Sequence, residues 1–250
     1  MLVAACGIDG SEVRKAKEEI EVREREAAGL LDKSVPSSSA GIENYVKPVP
    51  MTAKMIRKLY KLAQSLYEDG EYLEAKQRMT KAYASFGLLK NKNPDKHWDY
   101  LHLLCEITDS LREADELIKY AKLLKSISDD NEYVSYASTF LSRAHKLKGK
   151  YDKALKYAHE ALEFFIKEYG EEASWVSHSY DIIGSVYHEK KDYEKAIEYF
   201  KKNLAIDLKN NGPAHDNVAA TYNNIALVYD YKKEYKKAND YYEKSLQIYL

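Results

Sequence analysis

SYDIIGSVYHEKKDYEKAIEYFKKNLAI, residues 179–206, and TYNNIALVYDYKKEYKKANDYYEKSLQI, residues 221–248, are one segment written twice at a shift of 42. Tyr180, Ile183, Gly184, Tyr187, Tyr193, Ala196 and Phe200 fall on Tyr222, Ile225, Ala226, Tyr229, Tyr235, Ala238 and Tyr242. A fixed period of this length marks a chain built from repeated supersecondary units, and it outranks any local reading.

The lattice extends backward. FLSRAHKLKGKYDKALKYAHEAL puts Leu141, Ser142, Tyr151, Ala154, Ala158 and Ala161 in register. LYKLAQSLYEDGEYLEAKQRMTKAYASF supplies Leu59, Leu62, Ala63, Tyr72, Ala75, Met79 and Ala82. A degenerate copy between them carries Leu101, Leu104, Cys105, Ala114, Leu117, Ala121 and Leu124. Five units follow: 52–88, 94–127, 131–168, 172–209 and 214–250. Within each, apolar residues recur at helical spacing on both sides of a short polar connector such as residues 68–71 or 148–150, which predicts two antiparallel helices. Small residues mark the close approaches: Ala63, Cys105, Ser142, Gly184 and Ala226 on the first helix, Ala75, Ala154, Ala196 and Ala238 on the second. Pro94 and Pro213 are placed as first-turn prolines opening the second and fifth units. One helix pair cannot bury both of its faces, so the units stack into an all-α solenoid.

Composition agrees. Glycine and proline number only 10 and 5 in 250 residues, too few for a turn-rich β fold. Acidic and basic residues balance at 40 and 39, so no net field favours a phosphate backbone or an anionic membrane, and nucleic acid is not expected as a partner. Cys6 and Cys105 are too few for a disulfide framework or a four-ligand zinc site. No apolar run approaches the roughly 18 residues of a membrane span. The apolar start, Met1–Cys6, is too short for a signal peptide, so a soluble, cytoplasmic protein without membrane insertion is expected. Residues 1–50 form a separate region: a charged helix over 11–32, with Ser11 as cap and a Glu21/Arg25 pair, then a linker over 33–50 that holds three prolines and a serine cluster. The folded repeats begin near Met51.

The alternation of small and aromatic residues over a helix-turn-helix resembles the tetratricopeptide repeat family. The 42-residue period is similar to the longer-helix variety found in kinesin light chains, and GPAHDNVAATYNNIALVY (212–229), with its Gly-Pro and His entry and Asn-Asn pair before the small residue, is the most specific piece. The resemblance covers roughly residues 51–250. Kinesin light chains also carry a long heptad coiled coil, and residues 11–32 are too short and irregular for one, so the match is to the repeat class. It implies a right-handed superhelix whose concave groove, lined by the first helix of each unit, holds a peptide from a partner protein. Members that bind a terminal carboxylate use a Lys/Asn/Arg clamp. Tyr60 and Gln64 stand at the equivalent first-unit places, so that clamp is not expected.

Carrying the lattice through the first helices gives candidate groove residues Arg57, Tyr60, Gln64 and Tyr67 in the first unit, and Asp99, His102, Glu106 and Asp109 in the second. The third offers Tyr136, Thr139, Arg143 and Lys146, the fourth His178, Asp181, Ser185 and His188, and the fifth Asn223, Leu227 and Asp230. An acidic second unit beside a basic third predicts inter-helix salt bridges, or contacts to a bipolar peptide. Asn223 is the sharpest candidate, because an amide can both donate to and accept from a peptide backbone. Tyrosine outnumbers phenylalanine 23 to 5. Most tyrosines fall on packing positions, with Tyr60, Tyr67 and Tyr136 the better binding candidates.

No phosphate loop, nucleophile elbow, metalloprotease helix or dinucleotide fingerprint is present, so no catalytic residue, cofactor or metal is expected. His178 and His188, ten residues apart on one helix, are about 15 Å apart, too far to share a metal. His145 occupies a packing position and is read as buried and neutral, and His102 with Glu106 as a local pair. The chain closes on Leu246, Ile248, Tyr249 and Leu250 without a polar cap, which predicts a longer array, self-association or a covering partner at this end. The functional expectation is a noncatalytic scaffold or adaptor that binds protein or peptide partners. A peptide-gated regulatory domain of a signalling protein is the alternative, and a structural spacer the third reading.

Overall fold

The computed structural model describes residues 51–87, 89, 94–127 and 131–250. The charged helix and linker expected over 1–50 lie outside the described residues. Among the described residues the chain is all-α, with ten helices and no strand: α1 (Ala53–Glu68), α2 (Tyr72–Phe86), α3 (Pro94–Ser110), α4 (Ala114–Ser126), α5 (Asn131–Leu147), α6 (Tyr151–Tyr169), α7 (Ser174–Glu189), α8 (Tyr193–Asn211), α9 (Asp216–Tyr231) and α10 (Tyr235–Tyr249). They form two compact units, one ending at Ile107 and the other spanning Thr108–Leu250.

In the first unit, α1 packs on α2. Thr52 caps α1, its hydroxyl accepting from the Met55 N–H at 3.3 Å, and the helix buries Ile56, Leu59, Leu62, Ala63 and Leu66 along one stripe. Facing them, α2 buries Ala75, Met79, Ala82 and Phe86. Phe86 packs edge-on against Tyr100 of α3, and the Tyr83 hydroxyl meets His97 Nε2 at 3.0 Å. Pro94 opens α3, where the sequence placed it.

In the second unit, each helix from α4 to α10 packs on the next, and α5 also touches α7. One core gathers Ala158, Ala161, Leu162, Phe165, Val176, Ile182, Ile183 and Ile206. The next gathers Ala196, Ile197, Phe200, Ile225, Val228, Tyr229 and Ala238. The small residues do what the repeat required of them: Ser142, Ala154, Ala196 and Ala226 are fully buried and Ala238 nearly so. At Gly184 the approach is closest, since an added Cβ would come within 2.8 Å of the Phe200 ring. The tyrosines are rungs of an internal ladder. Tyr187 stacks on Tyr199 at 5.5 Å with Tyr180 beside them, and 42 residues later Tyr229 stacks on Tyr241 at 5.7 Å with Tyr222 beside them. Lysines lie over both sets: Lys195 and Lys202 on the first, Lys237 and Lys244 on the second.

Each of the five hairpin turns closes by the same device. One residue takes positive φ (Gly70, Arg112, Gly149, Lys191 or Lys233), and the next N–H bonds back to the carbonyl five residues before it. These bonds are Glu71 to Leu66, Glu113 to Thr108, Lys150 to His145, Asp192 to Tyr187 and Glu234 to Tyr229, all at 2.8–2.9 Å. This is a Schellman stop, which favours glycine at the left-handed position, yet three of the five turns do without it. Pro213 departs from expectation. It lies in the turn before α9 and not in its first helical turn, because His215 caps that helix, Nδ1 accepting from the Asn217 N–H at 3.1 Å.

The α7, α8 and α9 joint holds a buried polar knot. Ser177 donates to the Asp207 carboxylate at 2.6 Å, the Asn203 amide donates to the Ser177 carbonyl at 3.0 Å, and the Thr221 hydroxyl donates to Asn203 Oδ1. The equivalent positions one unit earlier on α6 are Ala161 and Phe165, both buried and apolar.

Two substitutions of opposite sign test this account. Gly184→Ala drives a methyl into Phe200 and should lower unfolding free energy by about 1–3 kcal/mol. Lys191→Gly relieves a left-handed turn residue and should raise it by about 1 kcal/mol. Urea unfolding midpoints read both, and shifts of the same sign would contradict the turn and packing assignments.

Candidate functional site

The odd-numbered helices bring most of the sequence candidates of the second unit onto one polar face. Arg143 on α5 donates to the Asp109 carboxylate on α3 at 2.8 Å and, through its other terminal nitrogen, reaches His178 Nε2 on α7 at 3.0 Å. One turn along α5, the Lys146 ammonium donates to the Ser185 hydroxyl of α7 at 3.0 Å. On α9 the Asn224 amide donates to the Asp181 carboxylate at 3.0 Å. The Asp109 end of α3 and the helices α5, α7 and α9 are thus tied in sequence by side-chain bonds. The salt bridge expected between the acidic second and basic third repeats forms at Asp109–Arg143.

The electrostatics follow from crowding. A guanidinium can only donate, so His178 Nε2 is the acceptor and its proton is on Nδ1. Burial, then the Arg143 charge, pushes this imidazole down to about 4. Burial likewise lowers Lys146, opposed by the Asp181 carboxylate nearby. It raises Asp181, opposed by Lys146, Arg143 and the Asn224 amide. The face therefore offers one neutral ring, two cations, two carboxyls and an amide in a half-buried setting, where polar bonds are stronger than in bulk water.

The other candidates are placed as follows. Tyr136 is half-buried, edge-on to Trp175 at 4.9 Å and to Phe165 at 5.6 Å, and burial pushes its hydroxyl up to about 12. Thr139 is buried and bonds the Tyr136 carbonyl. Asn223, Leu227 and Asp230 are exposed on α9, and the amide that joins the inter-helix row is Asn224, one position beyond Asn223. His178 and His188 share α7, with His188 edge-on to Tyr231 at 4.9 Å. His145 is buried, stacked flat on Tyr157 at 5.5 Å and lowered by burial, in agreement with the sequence reading.

In the first unit Tyr60, Asp99 and Glu106 are neighbours. Burial, then these two carboxylates, pushes the Tyr60 hydroxyl up to about 12, and its ring lies 4.9 Å from Tyr100. His102 stacks on Trp98 at 4.5 Å and approaches Glu106 at 3.7 Å, the local pair the spacing suggested. Arg57 is exposed, Gln64 is half-buried, and Tyr67 packs against Tyr72 at 5.4 Å. Among the described residues no three His, Cys, Asp or Glu side chains come together as a metal-ligand set, and no helix is long and apolar enough to cross a membrane.

Comparison with known proteins places this arrangement. The tetratricopeptide repeat family model matches residues 133–209 and 178–250. Among solved structures, BtubC (BKLC) from P. vanneervenii is similar over 95% of this chain and 89% of its own, at 21% identity and a TM-score of 0.64. The nearly identical TPR-like repeats of a Podosopora anserina protein described as a kinesin light chain match over 77% of this chain and 94% of theirs, at 18% identity and a TM-score of 0.58. A Rap protein complexed with Competence and Sporulation Factor matches over 79% of this chain but only 55% of its own length, at 17% identity and a TM-score of 0.69. At these identities the likeness is one of fold. No curated protein matches the sequence.

The pH response of the polar face has a definite sign. An unfolded His178 takes up its proton near 6.5 and the folded one only near 4, so the unfolded chain holds more protons in that window and stability rises with pH across it. His145, His159 and His188, lowered by burial, act in the same direction, whereas the raised Asp181 opposes them at the acid end. His178→Gln keeps an acceptor for Arg143 without titrating. Its unfolding free energy should fall less steeply than wild type from about pH 6.5 to 4; parallel curves would remove His178 from the buried row.

Proposed function

We propose that the protein, whose residues 133–250 match the tetratricopeptide repeat family model, is a noncatalytic interaction scaffold that holds a partner peptide against the polar face of its odd-numbered helices. Proteins of this repeat class are generally scaffolds that bind protein or peptide partners. The observation that carries the reading is the row from Asp109 through Arg143 and His178, with Lys146, Asp181 and Asn224 beside it, which presents donors and acceptors from successive helices on one face. An extended peptide has a donor and an acceptor at every residue, and such a row can satisfy them without demanding one particular sequence.

On this reading Tyr136, Arg143, Lys146, His178, Asp181 and Asn223 contact the ligand in the second unit. Arg57, Tyr60, Gln64, Tyr67, His102 and Glu106 form a comparable polar and aromatic set in the first. The five hairpins act as one repeat domain over 51–250, in an adaptor of the cytoplasm. A peptide-gated regulator is the second reading, favoured by the fold shared with the Rap protein and by the fact that the helices are tied through side chains a ligand could recruit. The exposed Leu246 and Tyr249 of α10, with Leu250 just beyond it, suit self-association or a further hairpin, since Leu204 and Asp207, equivalent to the first two on α8, are half-buried and buried.

Selection of peptides from a displayed random library on the full chain, followed by titration of the enriched sequences, tests the proposal. Asn223→Ala, at an exposed position, should leave the melting temperature unchanged and weaken such peptides by about three- to tenfold, the value of one or two hydrogen bonds. Leu227→Asp should weaken them further. Peptides that bind both variants like wild type would place the ligand elsewhere.

A further inference from the structure

Four of the five second helices open on an acidic residue, Glu71, Glu113, Asp192 and Glu234, immediately after the left-handed turn residue. A carboxylate there complements the partial positive charge of a helix start. The fifth, α6, opens on Lys150, with no side-chain cap. The unfavourable charge is not isolated. Burial, then the charges of Lys153 in the first turn of α6, Lys150 and Lys148 in the α5–α6 turn and Lys122 on α4, depresses the basicity of His145. Lys125, also on α4, lies over Tyr157, the ring on which His145 stacks, 5.6 Å from its centroid.

Counter-charges cover only part of this cluster. Asp115 pairs with Lys148, and Glu160 is shared between Lys125 at 3.7 Å and Lys156 at 4.0 Å. Asp152, on the same turn, is drawn away to Lys190 at 2.8 Å, and Glu116 is half-buried on α4. Lys122, Lys150 and Lys153 are exposed and make no ion pair among the described residues. Between Lys122 and Lys125, Leu123 is 38% exposed and gives the patch an apolar contact. A cluster that breaks the local charge rule kept by its four sister turns has a use beyond folding, because consistency is given up in native proteins chiefly where function requires it.

We propose that this lysine patch, centred on Lys150 at the start of α6 and flanked by Lys122 and Lys153, is a docking surface for an acidic segment of a partner protein, separate from the polar face of the odd-numbered helices. Charge complementarity selects the partner. The three exposed ammonium groups attract carboxylates, while Asp115 and Glu160 interrupt the positive field and repel a phosphodiester chain, which carries charge at every step. A glutamate- or aspartate-rich peptide with an aliphatic residue to cover Leu123 fits both features.

The probe is a short fluorescein-labelled poly-glutamate peptide, titrated with the full chain at low ionic strength and followed by fluorescence anisotropy. Lys150→Glu restores the charge of the sister turns, so its melting temperature should equal or exceed that of wild type while its affinity for the probe falls about five- to tenfold. Lys122→Glu and Lys153→Glu should each weaken the probe to a similar extent, and Lys201→Glu, on the exposed side of α8, should not. An oligothymidine of equal charge should bind more weakly than poly-glutamate. The proposal is overturned if the probe does not bind, if Lys201→Glu is as damaging as Lys150→Glu, or if oligothymidine binds as tightly as the peptide.

Discussion

A pair of amphipathic helices has more apolar surface than it can cover by itself, and the architecture follows from that deficit. Each hairpin closes only half of its own core, so α7 and α8 need α9, and α9 needs α10. The contact that makes the exchange possible is the close crossing of the two helices of a pair, where Ala196, Gly184 or Ser142 lets the backbones approach and a ring such as Phe200 fills the space beside them. Burying each apolar side chain is worth about 1.5–3 kcal/mol. That gain reaches the fold only if the crossings are close enough to exclude water. The small residues therefore set the spacing, and the aromatic residues supply the area.

Once the spacing is fixed within the second unit, the outward residues of α5, α7 and α9 can reach one another. The side-chain bonds between them are few: one joins α3 to α5, two join α5 to α7, and one joins α7 to α9. Arg143 is the pivot, since it bonds partners on both neighbours, Asp109 and His178. On the proposed function such a face is at once part of the frame and a recognition surface, because the groups that hold neighbouring helices together are the same groups a ligand would compete for. Its half-buried setting raises the stakes on both sides: a satisfied donor adds rigidity, and an orphaned one costs more than it would in water.

The repeat, the hairpins and the small-residue crossings were legible from the chain because they obey one period. The inter-helix polar row was only half legible. Its residues had been chosen as outward-facing, but their partners could not be, since the bonds join positions 34, 35, 39 and 43 apart and not one repeat apart. Crossing angle and side-chain length decide those pairings, and neither is written in a period. The Asn-Asn pair shows the same limit at finer grain. Adjacent helical residues point about 100° apart, so the exposed Asn223 and the engaged Asn224 differ by a rotation that a lattice of small and aromatic sites does not resolve. Pro213 misled for a related reason: a proline signals the start of a helix only loosely, and the His215 cap moved that start three residues on.

The polar knot of Ser177, Asn203, Asp207 and Thr221 makes the units unlike one another in a way their shared outline conceals. Arrays of this kind grow by copying one module and pasting it beside the last, which demands interchangeable surfaces. Here the seam after α8 is keyed. A spliced duplicate of the α5–α6 hairpin set against it would bring Ala137 where Thr221 now stands, so Asp207 would keep Ser177 of its own hairpin while Asn203 Oδ1 was buried without its donor. A hairpin copied into this seam therefore fits without an orphaned amide only if it carries a hydroxyl at the place of Thr221.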